Sequence, residues 1–197
     1  MKIRMLAVAA AMVLSAGAHA APVFSDNFNA DKQGVDVTPV GWSLGAGTDD
    51  VDVIGTGFFD EIPGNGNYID LDGSNGSSGG PGVLATSFDV TGGQTYTATF
   101  QLGGNQRDST TDSVTVLFGG TSLVVPVSAT SGFTTYSITT TATSSDSLTL
   151  SFQDSRSGNV GALLDNVSVS AVPEPGSMSL MLAGIAALGF AARRRRS

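Results

Sequence analysis

Cysteine is absent from the 197 residues, so disulfides, thiolate metal sites and cysteine nucleophiles are excluded. Histidine occurs once, as His19, near the N-terminus. Basic residues are scarce in the middle of the chain. Between Ala21 and Val172 only Lys32, Arg107 and Arg156 stand against sixteen of the seventeen acidic residues, a net charge of −13. A surface this acidic repels nucleic acid and anionic lipid, and suits divalent cations or a neutral partner held by hydrogen bonds. Tryptophan occurs once, as Trp42. Sustained helical periodicity is also missing from the middle, and long apolar runs occur only at the two ends.

The first end reads MKIRMLAVAAAMVLSAGAHA. A short basic front at Lys2 and Arg4 precedes an apolar run and the small-x-small site Ala18-His19-Ala20. This order predicts a secretory signal peptide over residues 1–20, removed after Ala20. His19 leaves with it, so histidine-dependent triads and histidine–zinc sites are excluded from the mature protein. About 150 residues remain, enough to bury a core without disulfides.

The other end reads VPEPGSMSLMLAGIAALGFAARRRRS. Met178 to Ala192 is apolar or small except for Ser179. As a helix it spans roughly 22 Å, short of a hydrocarbon core of about 30 Å. A start near residue 177 and snorkelling arginines close most of the gap. Arg193, Arg194, Arg195 and Arg196 are then retained on the cytoplasmic side. Pro173 and Pro175 hold Glu174 in an extended backbone just outside.

Val172-Pro173-Glu174-Pro175, the apolar helix and the arginine cluster, in that order, resemble the PEP-CTERM sorting signal of bacterial exported proteins. The resemblance covers residues 172–197. It implies recognition by an exosortase-type membrane protease, cleavage near the motif, transient anchoring in the inner membrane, and delivery to the cell surface or an exopolysaccharide matrix. A permanent single-span anchor is the competing reading.

Residues 21–171 alternate. In Gln94–Leu102, Tyr96, Ala98, Phe100 and Leu102 fall on one face, with Thr95, Thr97, Thr99 and Gln101 on the other. Ser113–Phe118 and Ser147–Ser155 repeat the pattern, and Thr134–Thr143 is threonine-rich with Tyr136 and Ile138 inward. Shorter strands are expected at Val23–Phe28, Gly41–Leu44, Val51–Ile54, Tyr68–Leu71, Val83–Val90, Ser122–Val127 and Leu163–Ala171. Glycine-containing turns separate them, and Gly73–Gly82 reads as a Gly/Ser-rich surface loop. Many short strands without helices predict an all-β, antiparallel sandwich. The stretches Phe24–Asn29, Gly41-Trp42, Asn67–Ser74 and Leu163–Val169 resemble galactose-binding-like jelly rolls, a superfamily that includes many carbohydrate-binding modules. That resemblance implies a jelly roll, with sugar binding as an analogy.

Candidate chemistry follows from oxygen donors. Calcium takes six to eight oxygens from carboxylates, amides and carbonyls. Asp26, Asn27 and Asp31 lie near the first strand, and Asp165 and Asn166 on the last. If those strands are neighbours, the groups converge, and the jelly-roll resemblance implies a structural calcium there. Asp165 shares the parity of Leu163, Val167 and Val169, so on that face it needs a cation, an arginine or backbone donors. The alternative is a solvated or amide-capping carboxylate.

In Asn67–Gly73, alternation puts Ile69 and Leu71 inward and Tyr68, Asp70 and Asp72 outward. Two aligned carboxylates beside a tyrosine either hold sugar hydroxyls or form a solvated face. The segment lacks the ligand spacing and closing glutamate of an EF-hand. The acidic run Asp49-Asp50-Val51-Asp52 reads as a solubilising loop. Trp42 is either a sugar-stacking ring or a core residue, and Phe58 and Phe59 are ligand contacts if exposed. No pair of carboxylates stands out with the opposed environments that glycoside hydrolysis needs. The sequence thus points to a non-catalytic, polysaccharide-binding protein. Its alternatives are a purely structural or adhesive matrix protein and a carbohydrate-active enzyme.

Overall fold

The structure is a computed structural model, and it describes residues 21–45, 51–74, 82–156, 158–173, 181, 182, 184–186, 188, 189 and 193. The expected signal peptide, Asp49 and Asp50, most of the Gly/Ser loop, Glu174, Pro175 and Arg194 to Arg196 lie outside the described residues.

Between Ala21 and Val172, eleven strands follow one another: β1 (Pro22–Asp26), β2 (Ser43–Leu44), β3 (Asp52–Gly55), β4 (Asn67–Asp70), β5 (Val83–Asp89), β6 (Thr95–Gly103), β7 (Asp112–Phe118), β8 (Thr121–Val127), β9 (Thr134–Thr141), β10 (Ser147–Gln153) and β11 (Leu163–Ala171). Each overlaps one expected from alternation. All pairings are antiparallel. One sheet runs β3-β4-β11-β6-β9, with β1 also paired to β11. The other runs β2-β5-β10-β7-β8. The result is the all-β sandwich of jelly-roll type that the sequence predicts.

Alternation explains the layering. Tyr96, Ala98, Phe100 and Leu102 of β6 are buried, facing Val114, Val116 and Phe118 of β7 and Leu150 and Phe152 of β10 within one core. Phe100 and Phe152 meet edge to face at 5.0 Å between ring centres. Each such ring contributes roughly 1.5–3 kcal/mol through burial. The intervening β6 threonines point out. Thr95 and Thr97 sit opposite Thr141 and Thr139 of β9, hydroxyl to hydroxyl at 3.0 Å in both pairs.

β11 organises the first sheet. Its start pairs with β4 through Leu163 and Leu164, and its later part pairs with β1 through Val167 to Ser170. Between them the ladder to β6 is interrupted from Asp165 to Ser168, and Asn166 has φ 50°. This irregularity corrects the expected parity of Asp165. Leu164, Val167 and Val169 enter the core, whereas Asp165 pairs with Gln101 on the outer side. The extra residue carries Asn166 and lets the strand change face.

A second, smaller cluster lies outside the first sheet. Ile54, Tyr68 and Leu163 are buried there beneath Phe58, Ile62 and Phe133. In the C-terminal segment the described residues from Met181 onward are helical, and Met181, Ile185 and Leu188 are exposed. No helix among the described residues is long and apolar enough to cross a membrane.

Candidate functional site

Two groups of acids lie along β11. The first sits where β1 and β4 leave a gap on the same edge of that strand. Ser25, Asp26, Asn27, Asn166, Val167 and Ser168 line an open depression of about 430 Å³. Asp26 is fixed at both oxygens: Oδ1 accepts the Phe28 amide at 2.8 Å and Oδ2 accepts Trp42 Nε1 at 2.8 Å. Phe28 adopts φ 54°, which turns the chain sharply beneath the depression. Asp165, 1% exposed, accepts the Asn166 amide at 2.6 Å and Asn166 Nδ2 at 3.0 Å. Asn166 Nδ2 also donates to Gln101 Oε1 at 2.9 Å. Burial raises the Asp165 pKa to about 6; the Asn166 amide opposes this, and the Asp26 charge adds to it.

Thus the structure brings Asp26, Asn27 and Asn166 to one depression with Asp165 beside it, as the meeting of first and last strands required. Asp31 is engaged elsewhere in its loop, accepting the Val40 amide at Oδ1 and Asn67 Nδ2 at its carbonyl. Among the described residues no three acidic, imidazole or thiol groups converge as a metal cluster. The residues that line the depression offer one carboxylate, Asp26, the side-chain amides of Asn27 and Asn166, and the Ser25 and Ser168 hydroxyls.

The second group lies at the start of β11. Tyr68, Asp70 and Asp72 do alternate away from the sandwich core, but the face they reach is covered. All three are buried, contrary to the expected solvated face, because the 56–66 segment and the 104–108 and 154–162 loops close over them. The Tyr68 hydroxyl accepts the Ile62 amide at 2.9 Å and donates to Asp60 at 3.2 Å. Burial, partly offset by that amide, pushes its pKa up to about 12. Asp70 accepts the Asp72 and Gly161 amides and pairs with Arg107, which also reaches Glu61 at 3.8 Å. Asp72 accepts the Gly158 and Val160 amides. Asp112, fully buried, accepts Asn105 Nδ2 at 2.9 Å and Arg156 at 3.1 Å, and Arg156 also reaches Asp108 at 2.8 Å. Asp154 accepts the Ala162 amide at 2.6 Å, and burial raises its pKa.

Asp112, Asp154, Asn105, Arg107 and Arg156 escaped the sequence reading. Their signal was present: two of the three basic residues of the domain each stand within polar loops beside an aspartate, in Arg107-Asp108 and Asp154-Ser155-Arg156.

The aromatic candidates separate. Trp42 is 8% exposed and packs within 5.6–6.1 Å, centre to centre, of Phe24, Phe28 and Phe152. It is a core residue whose indole N–H anchors Asp26. Phe58 is half-buried over the second cluster, and Phe59 beside it is 62% exposed.

Comparison with known proteins finds likeness at two scales. Residues 171–196 match the family described as the PEP-CTERM protein-sorting motif. The fold is similar to the CBM22-1 xylan-binding domain of Paenibacillus barcinonensis Xyn10C, at TM-score 0.52 and 14% identity over 79% of this chain and 97% of that one. It is also similar to the CBM22-1–GH10 modules of the Clostridium thermocellum xylanase 10B, at TM-score 0.51 and 16% identity over 78% of this chain and 29% of that one. The K3 adhesin domain of Lys-gingipain from Porphyromonas gingivalis matches at TM-score 0.50 and 14% identity, over 76% and 99%. No curated protein matches the sequence. The chain therefore joins a PEP-CTERM motif to a jelly roll of the kind carbohydrate-binding modules use. At these identities the structural likeness establishes fold alone.

The motif begins where the sheet ends. The Val172 amide donates to the Thr95 carbonyl at 2.8 Å, and its own carbonyl accepts Gln94 Nε2 at 2.6 Å. Pro173, next along, is exposed.

Proposed function

We propose that this is an exported, non-catalytic protein of the cell surface or exopolysaccharide matrix, whose jelly roll binds polysaccharide. A signal peptide over residues 1–20 starts export. The helix at about residues 177–192 holds the chain transiently in the inner membrane, with Arg193 to Arg196 inside. An exosortase-type protease then acts at Val172 to Pro175. The observation that carries the reading is the match of residues 171–196 to the sorting motif directly after the last strand of the jelly roll. The acidity of residues 21–172 favours a neutral glycan over a polyanion. Mass spectrometry of the released protein tests the sorting half: both termini are trimmed, and recovery of Glu174 together with the arginines in soluble material refutes it. Glycan arrays that include the host's exopolysaccharide test the binding half. Silence there favours the purely structural or adhesive alternative. Appearance of new reducing ends on incubation with polysaccharide would make the protein a carbohydrate-active enzyme instead.

Calcium belongs to the same reading. Asp26, Asn27, Asp165 and Asn166 would hold it, with Asp31 one loop away. The ion would neutralise two neighbouring carboxylates and tie the first strand to the last. The melting temperature should rise in calcium and fall in chelator, and an unchanged melting temperature removes the ion from the account.

A further inference from the structure

A β-sandwich has edges, and each exposes backbone groups that another strand can pair with. Four of the edges here are guarded. β3 is covered by the 34–37 segment: Gly34 and Val53 exchange both backbone hydrogen bonds at 3.0 Å, and the Val37 amide reaches the Val51 carbonyl at 3.1 Å. β2 is two residues long. β1 carries Pro22, an irregular register and Asp26. β8 carries Pro126, which has no amide to donate.

β9 has none of these devices. It reads Thr-Thr-Tyr-Ser-Ile-Thr-Thr-Thr, eight residues without a charge, a proline or a bulge. It pairs with β6 through every residue, which keeps it straight, and among the described residues no strand pairs with its other side. Thr135, Ser137, Thr139 and Thr141 are exposed. In a domain of net charge −13 this is a strip on which two copies can approach without carboxylates meeting.

The geometry points to β9 as the seam of a homodimer, with β9 of a second copy laid antiparallel beside it about a twofold axis. The strand is complementary to itself. With the axis near Ile138, Ser137 faces Thr139 and Thr135 faces Thr141, so hydroxyls meet hydroxyls. The same chemistry already joins β9 to β6, where Thr97–Thr139 and Thr95–Thr141 pair at 3.0 Å. The contact is isologous, closes at two copies, and continues one sheet through both. A single-strand seam is small, so the association is reversible and favoured where copies are crowded. This goes beyond the glycan-binding reading and does not depend on it.

The test uses the full chain in detergent, followed by sedimentation velocity over a range of protein concentrations. The wild type should pass from monomer to dimer. T139K and S137K place a cation on the exposed side of the seam and should weaken dimerisation at least tenfold, while S122K on β8 should behave as wild type. Hydrogen exchange on the unmodified protein gives an independent reading: β9 amides should become protected as concentration rises. A wild type that stays monomeric throughout overturns the inference. So does dimerisation that T139K and S137K leave intact with β9 amides unprotected, since the contact then lies elsewhere.

Discussion

Strand β11 passes two acidic groupings, and they are held in different ways. At its start, Asp70, Asp72, Asp112 and Asp154 are met by backbone amides and by Arg107 and Arg156. At its middle, Asp26 and Asp165 are met by amides, the Trp42 indole and Asn166, and among the described residues no arginine pairs with them. The first grouping carries its own cations on the chain. In the second, burial raises the Asp165 pKa and the Asp26 charge adds to it. Burial raises the Asp70 and Asp154 carboxyls of the first grouping as well, with Arg107 pulling Asp70 the other way, so the two groupings differ in the source of their countercharge.

The largest expected effect lies at the arginine-bridged end. R156M strands the fully buried Asp112 and should cost about 3 kcal/mol in urea denaturation. Adding D112N should recover part of that loss, because the uncompensated charge is gone. If R156M costs no more than substitutions at the β1 depression, the two ends do not differ as argued. Next is W42F, which preserves a core ring and removes the donor to Asp26. It should cost about 1–2 kcal/mol, since a charged acceptor loses its partner.

A smaller effect is read by pH. Because the folded-state pKa of Asp165 is raised to about 6, its contribution is fully present below the unfolded value near 4 and is lost as pH rises through 6. The wild type should therefore gain stability on acidification from pH 7 to 4, by on the order of 1 kcal/mol after allowance for solvent screening. D165N should flatten that profile in thermal melts. An equal gain in D165N would assign the effect to the raised carboxyls of Asp70 and Asp154 instead. Calcium, if bound, should cancel the acid gain in the wild type alone.

Much of the fold was legible because period-two alternation is local information. Tyr96, Ala98, Phe100 and Leu102 declare their face without reference to any neighbour. What alternation cannot carry is an interruption. The extra residue at Asn166 reversed the face of Asp165, and only its pairing with Gln101 reveals that. Parity also states which side of a strand a residue takes, but not what lies over that side. Tyr68, Asp70 and Asp72 point away from the core, as expected, yet the segment just before β4 and two distant loops cover them. The meeting of Asp26 with Asp165 was anticipated from strand order. The partnership of Arg156 with Asp112, 44 residues apart, was not.

The place of Val172 has a mechanical consequence. The sorting tail leaves from β11, which is flanked by β6 along one side and by β4 and β1 along the other. Any pull on the tail loads an interior strand lengthwise. Its hydrogen bonds to the neighbours on both sides must then yield together in shear rather than open one at a time like a zip.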